Sequence, residues 1–160
     1  LILDGDALFA CVGHLDVLWK REGPTILTPH AGEFARLVGL TPDDVAKGGA
    51  LSPAQTLAAE ANAIVHLKGY RSMTVLADGS VFINTTGNPG MAKPGMGDAL
   101  GGIILSLATR GVSAELATAQ GSYIHGLAGD AAAEVMGEES MSTADVIMAL
   151  AATIKELSAG

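Results

Sequence analysis

The stretch "GNPGMAKPGMGDALGG" (residues 87–102) sets a lone carboxylate, Asp98, between glycines and the start of an apolar run. Gly95 and Gly97 permit left-handed backbone and the close approach of a ligand. A helix starting here would turn unpaired N–H groups and its positive dipole end toward an anion. The backbone of Gly95, Met96 and Gly97 is therefore a candidate anion cradle. Beside it, Asp98 serves either as a helix cap or as a base next to a group in transfer; spacing leaves both open. The pattern is not the dinucleotide fingerprint, which follows the first strand of a βαβ unit, nor a P-loop, since no Gly-Lys-Ser/Thr follows.

Three other short stretches carry polar groups to the ends of apolar runs. "TPHAGEF" (residues 28–34) delivers Thr28, His30 and Glu33 where open α/β sheets bind ligands, or simply opens a helix with Glu33 near its positive end. In "LKGYRS" (residues 67–72), Lys68 and Gly69 suit a phosphate or nucleotide base, or an ordinary solvated turn. "LDGDAL" (residues 3–8) offers Asp4 and Asp6 as metal or hydroxyl contacts, or as caps. Met91 and Met96 flank the glycine loop and pack against a ligand or the core. His125 and Asp130 sit in a small-residue helical run and read as a packed histidine and a surface acid. The 4 histidines share no ligand spacing and 1 cysteine cannot complete a structural zinc site, so no protein-built metal centre is expected.

The elements that position these groups alternate. Leu1–Leu3 reads as a strand, followed by helical pieces to about Leu8 and over Leu15–Lys20. "TILTPH" is a short β-branched strand and "GEFARL" a helix. Thr41, Pro42 and Asp44 form a capping box, and Ser52-Pro53 looks like the same device repeated. "AIVHLKG" is a buried strand, and Asp78-Gly79 joins two strands in a hairpin. From Asp98 the chain reads as helical. Leu100, Ile103, Ile104 and Leu107 share one face, Leu116, Ile124, Leu127 and Ala131 mark a second helix, and Ser142 with Asp145 opens a third. The expected fold is α/β, with a mainly parallel sheet covered by helices, as one domain over residues 1–160. The opening "LIL" has no leader or turn before it, the pattern of a chain cut from something longer.

Composition narrows the function. With 49% apolar and 16% charged residues the chain must bury a sizeable core, and its net charge of −8 argues against a nucleic-acid surface. The lysines and arginines are scattered, no apolar run reaches membrane-spanning length, and the single cysteine suits a reducing compartment. A cytoplasmic protein with small-molecule partners, without nucleic acid or membrane, is the expectation.

Taken in order, "LDGDAL", "TPHAGEFARL", "LKGYRSMTVLADG", "NTTGNPGMAKPGMGDALGGII" and "YIHGLAGDAAAE" resemble the ADP/ATP-dependent NAD(P)H-hydrate dehydratase family, a branch of the ribokinase-like superfamily. The resemblance covers nearly the whole chain and the C-terminal two-thirds or so of the family's domain. It implies a three-layer α/β/α fold lacking its N-terminal strands. It also implies repair of hydrated NADH or NADPH at the expense of ADP or ATP, with Mg²⁺ bridging the nucleotide phosphates. Asp98 would be the catalytic base and touch the substrate. His30 would contact the hydrated dinucleotide, while Lys68, Gly69, Tyr70, Arg71, Ser72 and Gly97 would line the adenine-nucleotide site. A homo-oligomer and an NAD(P)HX epimerase domain or partner are the expected company. The family pattern has a glycine where this chain has Pro94, and Lys93 is expected to offset the lost N–H by adding charge near the phosphates. Rival readings are a small-molecule kinase of the hydroxyethylthiazole kinase type and an inactive nucleotide-binding fragment.

Overall fold

The computed structural model describes residues 1–159, and every side chain among them except that of Ala46. The chain divides into two compact units, Leu1–Ile83 and Asn84–Gly160.

Strands β1 (Ile2–Leu3), β2 (Ile26–Leu27), β3 (Ile64–Leu67), β4 (Met73–Val75) and β5 (Val81–Ile83) lie side by side in chain order in the first unit. The sheet is parallel through β1, β2 and β3, with Ile26 facing both Ile2 and Ile64. It is antiparallel from β3 onward, Val75 facing both Val65 and Val81. Parallel neighbours need long crossovers and antiparallel ones only a tight turn. Helices α1 (Asp6–Ala10) and α2 (Asp16–Trp19) accordingly fill the first crossover. The second holds α3 (Ala31–Val38), α4 (Pro42–Asp44) and α5 (Leu51–Ala61). The Asp78-Gly79 hairpin forms as expected, with Gly79 at φ +87° and Leu76 N–H donating to Ser80 O. The result is a mixed sheet in an α/β unit.

Apolar residues from sheet and helices close this unit's core: Leu27, Phe34, Ala54, Ala58, Val65 and Val75 are all fully buried. All of β3 is buried, and its one polar side chain, His66, places Nδ1 2.9 Å from Thr74 Oγ1 on β4. The Thr41–Asp44 capping box is present, and two hydrogen bonds from Thr41, hydroxyl first, hold the Asp44 carboxyl below its ordinary value. Ser52-Pro53 is a correction. Helix α5 starts at Leu51 with no side-chain cap, because the chain enters it from α4 through a π-helical stretch, Val45–Gly49, kinked at Gly48 (φ +88°). Ser52 is thus inside a helix already running.

The second unit is helical behind a long loop: a 3₁₀ turn at Pro89–Met91, then α6 (Met96–Thr109), α7 (Ala114–Met136) and α8 (Thr143–Leu157). Leu100 and Ile104 are buried on α6 as the periodicity predicts. For α7 the expected apolar markers are not the packed face, since Leu116 is 45% exposed. The buried residues are small: Ala117, Thr118, Gly121, Ser122, Gly126, Ala128, Gly129 and Ala132, with His125 among them. Close approach explains the choice. A Cβ on Gly126 would lie 2.1 Å from Thr86 Oγ1, so only glycine lets the loop backbone rest on the helix. No helix among the described residues is long and apolar enough to cross a membrane.

Candidate active site

The first unit brings three of the sequence-marked groups together at the carboxyl ends of its parallel strands. Asp4 follows β1, His30 follows β2 and Lys68 follows β3. Lys68 N–H donates to Pro29 O at 2.8 Å, and His30 and Lys68 form an isolated parallel bridge. Lys68 Nζ donates to Asp4 Oδ1 at 2.7 Å, with both side chains only partly exposed, so the ammonium is held over the strand ends. His30 is the N-cap of α3. Its Nδ1 accepts from Gly32 N–H (3.0 Å) and Glu33 N–H (3.3 Å), while Glu33 Oε2 accepts from His30 N–H (2.8 Å). An accepting Nδ1 puts the proton of the neutral ring on Nε2, which lies 3.4 Å from Glu33 Oε1 on an exposed side chain. The helix start and the exposed histidine at the strand end are therefore one arrangement.

Residues 68–72 form the turn from β3 to β4. Ser72 Oγ donates to Gly69 O (2.9 Å) and accepts from Gly69 N–H (3.2 Å), closing the loop on itself. Arg71 takes φ +54° and its guanidinium lies 5.4 Å from the centroid of Tyr70, whose ring is 92% exposed. A planar aromatic and a guanidinium standing in solvent suit stacking on a base. Asp6 is exposed at the start of α1, apart from the Lys68–Asp4 pair.

In the second unit the glycine loop ends where the sequence places it. Gly95 is the N-cap of α6 at φ +86°, ψ −14°, and Met96 begins the right-handed helix. A left-handed residue followed by a right-handed one makes a concave nest of successive N–H groups. Among the described residues the N–H groups of Gly95, Gly97 and Asp98 take no hydrogen bond, and that of Met96 makes only a long one (3.4 Å) to Lys93 O. Asp98 is the third residue of α6 and exposed. It caps nothing: no side-chain cap is present and its carboxylate makes no hydrogen bond among the described residues. Of the two readings that spacing left open, the cap is the one the structure removes. Met96 is buried in the core of this unit rather than facing a ligand.

The loop leading to that helix is tied along its length. Asp130, on α7, accepts from Gly87 N–H and Asn88 Nδ2, both at 2.9 Å, so it is a clamp and not a surface acid. Asn88 Oδ1 in turn caps the 3₁₀ turn at Gly90 N–H. Lys93 is a second correction. Its ammonium donates to the carbonyls of Glu138 (3.0 Å), Glu139 (2.8 Å) and Met141 (2.5 Å), so its charge is spent on the α7–α8 turn rather than offered to a phosphate. Thr143 Oγ1 donates to Pro94 O (2.9 Å). The clamping role of Asp130 and the contact of Thr143 escape sequence reasoning because their partners are 43 and 49 residues away. His125 is buried with its Nε2 unpartnered among the described residues, and burial drives its pKa from 6.5 to about 4. Among the described residues no three His, Cys, Asp or Glu side chains gather to hold a metal ion. The donor set fits magnesium only as an ion carried by phosphate oxygens and water.

Compared with known proteins, residues 1–152 match the model of the NAD(P)H-hydrate dehydratase family. The chain belongs to that family. It is 43% identical over 156 residues to the bifunctional NAD(P)H-hydrate repair enzyme Nnr of Moorella thermoacetica, a match covering 98% of this chain and 29% of that protein. Among solved structures it is similar to the ADP/ATP-dependent NAD(P)H-hydrate dehydratase of Bacillus subtilis co-crystallized with ATP/Mg²⁺ and soaked with CoA. That likeness has a TM-score of 0.81 at 31% identity, covering 86% of this chain and 50% of that one. A ribokinase-like superfamily protein from Enterococcus faecalis V583 matches 98% of this chain and 52% of its own, with a TM-score of 0.75 at 29% identity. The fold of this dehydratase-family chain is thus ribokinase-like, and the chain spans about half the length of these solved structures and less than a third of the Moorella relative.

Proposed function

We propose that the protein returns hydrated NADH or NADPH to the active cofactor, consuming ADP or ATP. The ring hydroxyl of the hydrate attacks the terminal phosphoryl group; its O–P bond forms as the bond from phosphorus to the nucleotide leaving oxygen breaks. The Asp98 carboxylate accepts the hydroxyl proton. The free N–H groups of Gly95, Gly97 and Asp98 take the charge on the phosphoryl oxygens, working by position and electrostatics. Phosphate then departs with the C–O electron pair while the neighbouring carbon gives up a proton to solvent, and the C–H electron pair becomes the ring double bond. When bound with the nucleotide, magnesium would supply charge neutralisation, with no residue of this chain assigned as its ligand. In the first unit, His30 is assigned to the hydrated dinucleotide and Lys68, Gly69, Tyr70, Arg71 and Ser72 to the adenine nucleotide. Gly97 is assigned to the nucleotide as part of the cradle. The substrate-making partner is assigned as an epimerase of the hydrate, on the same chain or another.

The observation that carries the reading is the unengaged Asp98 carboxylate beside unpaired N–H groups at the start of α6, in a chain of this family. The test is incubation with hydrated NADH, Mg²⁺ and ADP or ATP while absorbance at the dihydronicotinamide band is followed. Recovery of absorbance with release of phosphate supports the reading. A stable phosphorylated product, or none, overturns it.

A further inference from the structure

We infer that Thr143, the first residue of α8, is a positioning residue for the nest of N–H groups at Gly95–Asp98; the inference rests on the reading of that nest given above. The Thr143 hydroxyl donates to Pro94 O at 2.9 Å. The Pro94–Gly95 peptide is a rigid trans plane whose C=O and N–H point in opposite directions. Holding the oxygen therefore aims the N–H of Gly95, the first donor of the nest. Pro94 makes this hold decisive, because proline has no N–H and its carbonyl is the one backbone hydrogen-bonding group by which it can be fixed.

The same side chain backs the nest by contact. A Cβ added to Gly95 would meet Thr143 Oγ1 at 3.2 Å and Thr143 Cβ and Cγ2 at 3.6 Å, so the threonine fills the space behind the left-handed residue. Thr143 is not needed to cap its own helix. Ser142 does that, in a capping box where Ser142 N–H (2.8 Å) and Oγ (2.6 Å) both donate to Asp145 Oδ2. The hydroxyl one residue later is free for the loop. The platform beneath it is fixed from the other side by Lys93 on the carbonyls of Glu138, Glu139 and Met141.

The test uses the full chain with Thr143→Val, which keeps the shape and loses the donor, and Thr143→Ser, which keeps the donor. Two readouts run in parallel: the Gly95 and Gly97 amide resonances of ¹⁵N-labelled protein titrated with inorganic phosphate, and steady-state kinetics with hydrated NADH and nucleotide. In the valine variant the phosphate-induced shifts should fall by at least about half. Its kcat should drop about tenfold, less than removal of an oxyanion donor, with nucleotide KM within about twofold. The serine variant should recover both. Should the valine variant fail to fold, Thr143→Ala is read in its place. Wild-type kcat and wild-type amide shifts in a folded variant lacking the hydroxyl overturn the inference while leaving the dehydratase reading intact. Hydroxyl-dependent phosphate shifts in a protein that does not act on hydrated NADH do the reverse.

Discussion

The polar groups of the two units are used in opposite ways. At the strand ends of the first, the marked side chains already satisfy one another: Lys68 with Asp4, His30 with the first turn of α3, Ser72 with Gly69. A ligand bound there would have to exchange partners. At the start of α6 the Asp98 carboxylate and the N–H groups of Gly95, Gly97 and Asp98 are unengaged among the described residues, and the loop behind them carries the bonds, to Asp130, to the α7–α8 turn and to Thr143. A strand-end cluster can be built from residues a few positions apart in each strand register. An open nest needs its rigidity from elsewhere, and here it comes from helices far along the chain.

Variants that break this contrast should differ in size and kind. Asp98→Asn removes the unengaged base, and a fall in turnover of about 10²- to 10⁴-fold is expected with nucleotide binding largely kept and folding unchanged. Loss of folding in its place would return Asp98 to a structural role. The histidines show the same split, His30 bonded and His125 orphaned at Nε2. As pH falls through 6.5 the unfolded His125 ring gains a proton that the folded ring refuses until about 4. The unfolded state therefore binds more protons in that window, and stability should fall across it by on the order of 3 kcal/mol. Urea midpoints between pH 7 and 4 check this, and His125→Leu should flatten the slope; an unchanged slope would assign it to other groups. In the first unit, Lys68→Met breaks the pair with Asp4, and a rise of about tenfold in nucleotide KM is expected, with kcat moving less, since a partly buried charge contact contributes to binding. Equal losses in KM and kcat would place Lys68 nearer the chemistry.

The sequence was most informative where structure is local. The Thr41–Asp44 and Ser142–Asp145 boxes, the Asp78-Gly79 hairpin and the glycine turn before Asp98 each close within four residues, so their chemistry is visible in the string. Where a feature depends on what arrives from a distance, reading fails in recognisable ways. Ser52-Pro53 has the form of a helix start, but the chain reaches it already helical. Bulky residues on α7 suggest the packed face, yet the approach of α6 and of the loop at Thr86 selects the small ones. Lys93 lies near the cradle in sequence, and only the fold reveals carbonyls waiting for it on the other side. The site was legible as a set of candidates; its supports were not.

The turn between α7 and α8 has a consequence for how this chain can vary. Surface connections usually accept inserted or deleted residues with little penalty. In this one, the carbonyls of Glu138, Glu139 and Met141 accept from Lys93, and the Thr143 hydroxyl donates to Pro94 O, within six residues. Its length is therefore a gauge: adding a single residue between Glu139 and Ser140 would shift one set of anchors against the other, and relatives that drift in length here must also rewrite the loop in front of Asp98.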